Sequence, residues 1–250
     1  MIVAPGVMML ELESEGFGGP VAIHPTLIWD EEDAILIDTG MPGDWIRIQH
    51  AMQEAGVPLD RLHAVLLTHQ DLDHIGSLPD VVSAKNGHLE VIAHHEDAPY
   101  IEGKYPLIKT SHEAMAKLLP LLPEEHRPKV LAMCDMHPSA NVTRLITDNE
   151  VLPYCGGIRI IHTPGHTAGH VSIYLERSRI LIAADAMISV DGMLQGPVPH
   201  ATLDMGSAIH SLSKLAKYAI DTVICYHGGL SEQNIHHQIL QLSHSSITKP

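Results

Sequence analysis

The stretch Thr68-His69-Gln70-Asp71-Leu72-Asp73-His74 carries four side chains of metal-ligand type, directly after the apolar run Ala64-Val65-Leu66-Leu67. Imidazole and carboxylate hold first-row divalent cations, and a buried strand that ends on them gives a site a rigid base and an open mouth. The alternative reading is a solvated acidic turn, since Asp is common in loops and the 250-residue chain holds 20 His. The choice between them depends on whether other strands end in the same way.

Several do. Upstream, Ala34-Ile35-Leu36-Ile37 runs into Asp38-Thr39-Gly40, an apolar strand meeting a polar glycine turn. Asp38 there suits either a supporting role behind a ligand or a turn cap. Asp44 precedes a helical pattern in Ile48, Ala51, Met52 and Ala55, stopped by Gly56 and Pro58, which predicts a helix crossing back over a sheet. The first thirty residues add short strands at Val7 to Leu12 and Val21 to Trp29. Downstream, Ile75 to Val82 reads as a short helix, and the strand Leu89 to Ala93 ends on His94-His95.

Between about residues 96 and 147 the pattern becomes helical, with Met115, Leu118, Leu119 and Leu122 in register but Pro120, Pro123 and Pro128 interrupting. This segment reads as a helical insertion whose methionines serve packing. If it overhangs the cleft, it shapes substrate choice. After it, the strand Ile158 to Thr163 turns through Pro164-Gly165-His166-Thr167-Ala168-Gly169-His170 into the strand Val171 to Leu175. Ile180 to Ala184 ends on Asp185, and Thr222 to Tyr226 ends on His227 before Gly228-Gly229. Asp204 caps a helix bearing Ala208, Ile209, Leu212 and Leu215, and Ser231 caps a last one bearing Ile235, Ile239 and Leu242. His69, Asp71, Asp73, His74, His166, Asp185 and His227 therefore all lie at or just past the end of a predicted buried strand.

Composition excludes several classes. With 45% hydrophobic and 18% charged residues and no long apolar run, the chain reads as globular rather than membrane-spanning. Lys and Arg number 15 against 30 Asp and Glu, a formal charge of −15, which argues against a nucleic-acid footprint. The N-terminus shows neither the basic nor the apolar region of a secretory signal, so the expected location is cytoplasmic. Cys134, Cys155 and Cys225 are an odd, widely spaced set, expected as free thiols. The expected organisation is one domain over residues 1–250 with the insertion at about 96–147.

Over nearly its whole length the chain resembles the metallo-β-lactamase superfamily: the strand with Asp38-Thr39-Gly40, the H-x-[H/D]-x-D-H stretch, the Pro164-Gly165-His166-Thr167 turn, then Asp185 and His227, in that order. The resemblance implies a four-layer αβ/βα sandwich of two mixed β-sheets flanked by helices, with a site at one edge of the sheets for two divalent metal ions. Zinc is the first candidate, with manganese or iron as competitors. By resemblance, His69, Asp71 and His166 hold the first ion, Asp73, His74 and His227 the second, and Asp185 bridges them. The implied chemistry is attack by a metal-bridging hydroxide that Asp73 orients, on a carbonyl or phosphoryl group polarised by the metals.

Asp71 departs from the common pattern, which has histidine there. A third carboxylate lowers the net positive charge of the ligated ions and favours harder metals. Family members cleave lactones, esters, thioesters, β-lactams or phosphodiesters, so the pocket decides the substrate. The expected function is hydrolysis of a small ester or lactone, as by a lactonase or esterase, with a thioesterase or phosphodiesterase on the same site as alternatives. Quorum-signal lactonases of the family carry Tyr three residues past the bridging Asp, where this chain has Ile188. Candidate pocket residues are His94, His170, Ile188 and His200, the histidines as donors to a leaving group. A flavin-coupled di-iron oxidoreductase branch also has an acidic residue at the second motif position, but it adds a flavodoxin-like domain for which 250 residues leave no room. A non-catalytic metal-binding scaffold is the remaining class. The expected partner is a small-molecule substrate, with no nucleic acid and no membrane, and a homodimer is left open.

Overall fold

A computed structural model describes residues 1–16 and 19–244. In chain order the first elements are β1 (Ile2–Ala4), β2 (Val7–Met9), β3 (Leu12–Gly16), β4 (Gly19–Ile23), β5 (Thr26–Trp29) and β6 (Ala34–Ile37). Then come α1 (Trp45–Glu54), β7 (Leu62–Leu66), α2 (Leu72–Ile75), α3 (Leu78–Ala84) and β8 (Glu90–His94). The next segment holds α4 (Ala98–Ile101), α5 (His112–Leu118) and α6 (Arg127–Cys134), followed by β9 (Arg144–Ile146). The second half runs β10 (Val151–Leu152), β11 (Ile158–His162), β12 (Val171–Leu175), β13 (Ile180–Ala184), β14 (Ile188–Val190), β15 (Met193–Gln195), α7 (Met205–Leu215), β16 (Thr222–Cys225), β17 (Gly229–Ser231) and α8 (Ile235–Ser243).

Two mixed sheets form the centre, in the orders β1-β2-β5-β6-β7-β8-β9 and β10-β11-β12-β13-β16-β17. Their period-2 alternation explains both the packing and the nearly unbroken apolar strands. On β6, Ile35 and Ile37 point into the core between the sheets while Ala34 and Leu36 point to the helices outside. On β13, Ile180 and Ile182 face the first sheet while Leu181 and Ala183 face α7 and α8. Both of these strands are thus covered on both faces, in the four-layer αβ/βα sandwich expected. On α1, Trp45, Ile48 and Met52 are buried at helical spacing against the first sheet.

β6, β7, β8 and β9 pair in parallel, as do β13 and β16. Parallel strands bring their carboxyl ends to one edge, where ligand sites form in such sheets. Asp38, the Thr68–His74 stretch, Asp185 and His227 follow such ends, and His94 is the last residue of β8.

Several boundaries differ from the sequence reading. The strand expected over Val21 to Trp29 is two strands split at His24-Pro25, because proline donates no hydrogen bond to a ladder. The helix expected over Ile75 to Val82 resolves into α2 and α3, with Ser77 between them donating its hydroxyl to the Met41 carbonyl at 2.6 Å. The segment expected to be a helical insertion to about 147 includes β9, which pairs with β8. The last helix begins at Ile235, and Ser231 ends β17 instead of capping it. Asp204 does cap α7, accepting from the Ser207 amide at 3.0 Å. The three cysteines are free, and among the described residues no helix is long and apolar enough to cross a membrane.

Candidate metal centre

All seven strand-end residues converge on the shared rim of the two sheets. His69, Asp71, His166 and Asp185 form one group, and Asp73, His74 and His227 another, with the ligand-type atoms of each group within 4.8 Å of one another. Asp185 also reaches the second group, its Oδ1 3.5 Å from His74 Nε2 and its Oδ2 3.5 Å from His227 Nε2.

The rings are oriented from behind. Asp38, held in the left-handed region at φ 59°, accepts from the Thr68 amide at 2.8 Å and from Thr68 Oγ1 at 2.7 Å. His74 Nδ1 donates to Asp38 Oδ2 at 2.8 Å, and His69 Nδ1 donates to Thr68 Oγ1 at 3.0 Å. With those protons on Nδ1, both Nε2 atoms face the centre. The Tyr226 ring stacks on His74 with centroids 3.7 Å apart, and its hydroxyl donates to the Asp73 carbonyl at 2.5 Å.

A second brace is Asp97. Its buried carboxylate accepts from the Gln70 amide at 3.1 Å, the Gly169 amide at 2.9 Å and Thr167 Oγ1 at 2.7 Å, tying the opening stretch to the turn that carries His166. A Cβ on Gly169 would lie 2.6 Å from the Asp97 nitrogen, so this close approach requires glycine there. Neither Asp97 nor Tyr226 stands out in the sequence, because their partners lie far along the chain; the one available signal is their position at or just past a strand end.

The electrostatics call for cations. Burial works against charge on His74, but Asp38, Asp73 and Asp185 outweigh it and hold its pKa well above the ordinary value. Burial is likewise outweighed at His227, chiefly by Asp185, which raises its pKa to about 10. His69 goes the other way, lowered by burial and then by His74. Asp71 and Asp185 stay well below the carboxylate range despite burial, Asp71 through Lys109 and then His69, Asp185 through His227 and then His74.

The orphaned atoms test the fit to a metal. His69 Nε2, His74 Nε2 and Asp185 Oδ1 are buried without a hydrogen-bond partner, which is costly unless something else uses their lone pairs. In the second group, Asp73 Oδ2 lies 3.8 Å from His74 Nε2 and 3.4 Å from His227 Nε2. A tetrahedral site with bonds of ~2.1 Å has edges of about 3.4 Å, so these separations, with Asp185 within 3.5 Å of both histidines, are close to what an ion on Asp73, His74 and His227 requires. The first group is drawn tighter, with His166 Nε2 2.9 Å from Asp71 Oδ2, and it contains Lys109. Lys109 Nζ lies 2.5 Å from both Asp71 Oδ2 and His166 Nε2. The sequence reading missed this lysine, which sits 38 positions past Asp71 in the helical segment.

Above the centre opens a cavity of about 410 Å³, with Asp71, Asp73, Lys109, His166, Asp185 and His227 on its floor. Its walls include Leu107, Met115, Val130 and Met133, so the helical segment does overhang the cleft. Ile188 and His200 also line it. His94 and His170 are not among the lining residues. His170 is buried, with Nε2 accepting from the Asp185 amide at 3.1 Å and Nδ1 paired with Thr163 Oγ1 at 2.9 Å, so it positions Asp185 rather than a leaving group. His94 stacks on His162 at 4.1 Å, and burial, then His162, lowers its pKa to about 4.

A histidine and aspartate floor on the shared rim of two face-packed mixed sheets defines a metal-site protein of the four-layer sandwich class. The chain belongs to the metallo-β-lactamase superfamily, whose family model matches residues 18–227. It is 31% identical over 210 residues to a probable metallo-hydrolase of Bacillus subtilis (strain 168), covering 78% of this chain and 75% of that one. It is 27% identical over 202 residues to an N-acyl homoserine lactonase of Bacillus thuringiensis subsp. kurstaki, covering 76% and 73%. Among solved structures, a metallo-β-lactamase family protein of Thermus thermophilus superposes with a TM-score of 0.72 at 22% identity, covering 97% of this chain and 79% of that one.

Proposed function

We propose that the protein is a metal-dependent hydrolase of a small lactone or ester that carries an apolar acyl arm. One observation carries this reading: a metal-ligand floor lies directly beneath a cavity of about 410 Å³ whose walls are mostly aliphatic and methionine side chains. The lactonase relatives support it. Among the described residues the lining holds one Lys or Arg, Lys109, and that ammonium is committed to Asp71 and His166, which speaks against a phosphodiester.

Asp73, His74, His227 and Asp185 would hold an ion directly, whereas His69, Asp71 and His166 would hold a second only with Lys109 withdrawn. A divalent ion bound there supplies Lewis acidity and makes a water nucleophilic near neutral pH. The chain's own residues do the rest. Asp73 has 29% of its side chain exposed, against 9% for Asp185 and 11% for Asp71, so it is the carboxylate placed to accept a proton from the attacking water and orient it. Leu107, Met115, Val130 and Met133 exclude water from the acyl side and fix the carbonyl over the floor.

The test is a homologous series of acyl lactones and p-nitrophenyl esters hydrolysed by the metal-replete protein. Burying each added methylene is worth ~0.8 kcal/mol, so kcat/KM should rise up to about fourfold per methylene until the cavity is full, and a chelator should abolish turnover. A flat series, or turnover confined to thioesters or phosphodiesters, overturns the reading.

A further inference from the structure

Among the described residues Lys109 is the one strong cation on the floor, and the chain beside it is held from both sides. The Ile108 amide donates to Gln70 Oε1 at 3.0 Å, so the residue next to Asp71 in the opening stretch grips the strand of chain that carries the lysine. On the other side Ser111 Oγ donates to the Ile108 carbonyl at 3.0 Å and caps α5 by accepting from the Ala114 amide at 3.2 Å. Leu107 is buried in the core cluster that covers the outer face of the first sheet. The backbone on either side of Lys109 is therefore held, within side-chain reach of Asp71 and His166.

The atoms Lys109 meets are the ones a first ion would need. An ammonium has three N–H donors and no lone pair, and a lone pair on Asp71 Oδ2 or His166 Nε2 cannot serve a donor proton and a metal at once. Lysine and metal thus compete for the same electrons. Charge favours the lysine. Asp71, Asp73 and Asp185 bring three negative charges, which one divalent ion and one ammonium neutralise; a second ion in place of the ammonium would leave one uncompensated positive charge within a buried site.

We propose that Lys109 is the resident cation of the first half of the centre, taking the place of the ion that His69, Asp71 and His166 would otherwise hold, so that the protein binds one divalent ion, on Asp73, His74, His227 and Asp185. Asp71 is then the counter-charge of Lys109, which gives the replacement of histidine at that position a physical reason. This rests on the metal-dependent reading above only in requiring that a metal binds; it is independent of which bond is cleaved.

The experiment is a metal count made without substrate, so that a protein inert to every lactone and ester still reports on it. The full chain is stripped with a chelator, titrated with Zn(II) or Co(II), desalted and measured by mass spectrometry of the metal. Wild type should retain one equivalent per chain, and Lys109→Met two. Wild type retaining two equivalents of comparable affinity, or Lys109→Met stopping at one, overturns the proposal. A second measurement needs no variant. Acetylation of native protein, read by peptide mass spectrometry, should leave Lys109 protected relative to the exposed Lys117 at zero, one and excess equivalents of metal. If excess metal brings Lys109 to the labelling rate of Lys117, the lysine has yielded its place and the proposal fails.

Discussion

The two halves of the centre draw on the same two residue types, yet one is spaced for an ion and the other is filled by an ammonium. Around His74 and His227 the ligand atoms stand 3.4 to 3.8 Å apart with no side-chain cation among them. Around His166 they close to 2.9 Å, with Lys109 Nζ at 2.5 Å. The difference teaches that a ligand list does not specify occupancy. What decides is whether the rest of the fold leaves the lone pairs free.

The sharpest way to break this comparison is to remove one histidine from each half. His227→Ala should abolish retention of the ion and lower turnover by more than the ~100-fold typical of losing an outer partner, whereas His166→Ala should retain the ion with a smaller loss. Equal damage to metal content in both variants would erase the distinction between the halves.

Protons distinguish them next. His74 and His227 have raised pKa values, the latter about 10, so near neutrality each holds a proton that an arriving ion must displace. Falling pH strengthens the proton and weakens the ion. Affinity measured by competition with a chromophoric chelator should rise on the order of 100-fold between about pH 6.5 and 7.5, as expected for two displaced protons. His69 and Asp71 are shifted the other way and release no proton on this range. An affinity independent of pH would place the ion in the first half.

Smaller effects refine the second half. Asp38→Asn leaves the shape of the support intact but removes the carboxylate that accepts from His74 Nδ1, and should cost about 10- to 100-fold in metal affinity with little change in fold. An unchanged affinity would show that His74 needs no such brace. Tyr226→Phe keeps the ring on His74 and deletes the bond to the Asp73 carbonyl, so urea unfolding should show a loss of about 1 kcal/mol. A loss confined to turnover, with stability unchanged, would assign the hydroxyl to substrate instead.

Much of the fold is legible from residue order alone. Strands such as Ala34–Ile37 and Ile180–Ala184 announce themselves because both faces are covered, which leaves no polar residue within them. Strand β9 does not, because Leu145 is exposed on a three-residue strand and its pairing partner β8 lies some fifty positions earlier. The candidate histidines divide for a similar reason. His200 reaches the cavity, while His170 sits beneath Asp185 and His94 against His162, and no local pattern separates a ring facing a pocket from one facing a hydrogen-bond partner.

The sequence by itself determined the buried strands and the order of the candidate ligands, since strand burial and ligand chemistry are written in residue type and spacing of two, while the layered sandwich followed from the family resemblance those motifs carry. Only the tertiary structure showed that an ammonium reaches the first half. That contact depends on Lys109 arriving from a separate segment, pinned through Gln70, and on Asp97 tying two distant turns together. Such contacts join residues far apart in the chain, where neither periodicity nor motif spacing carries information.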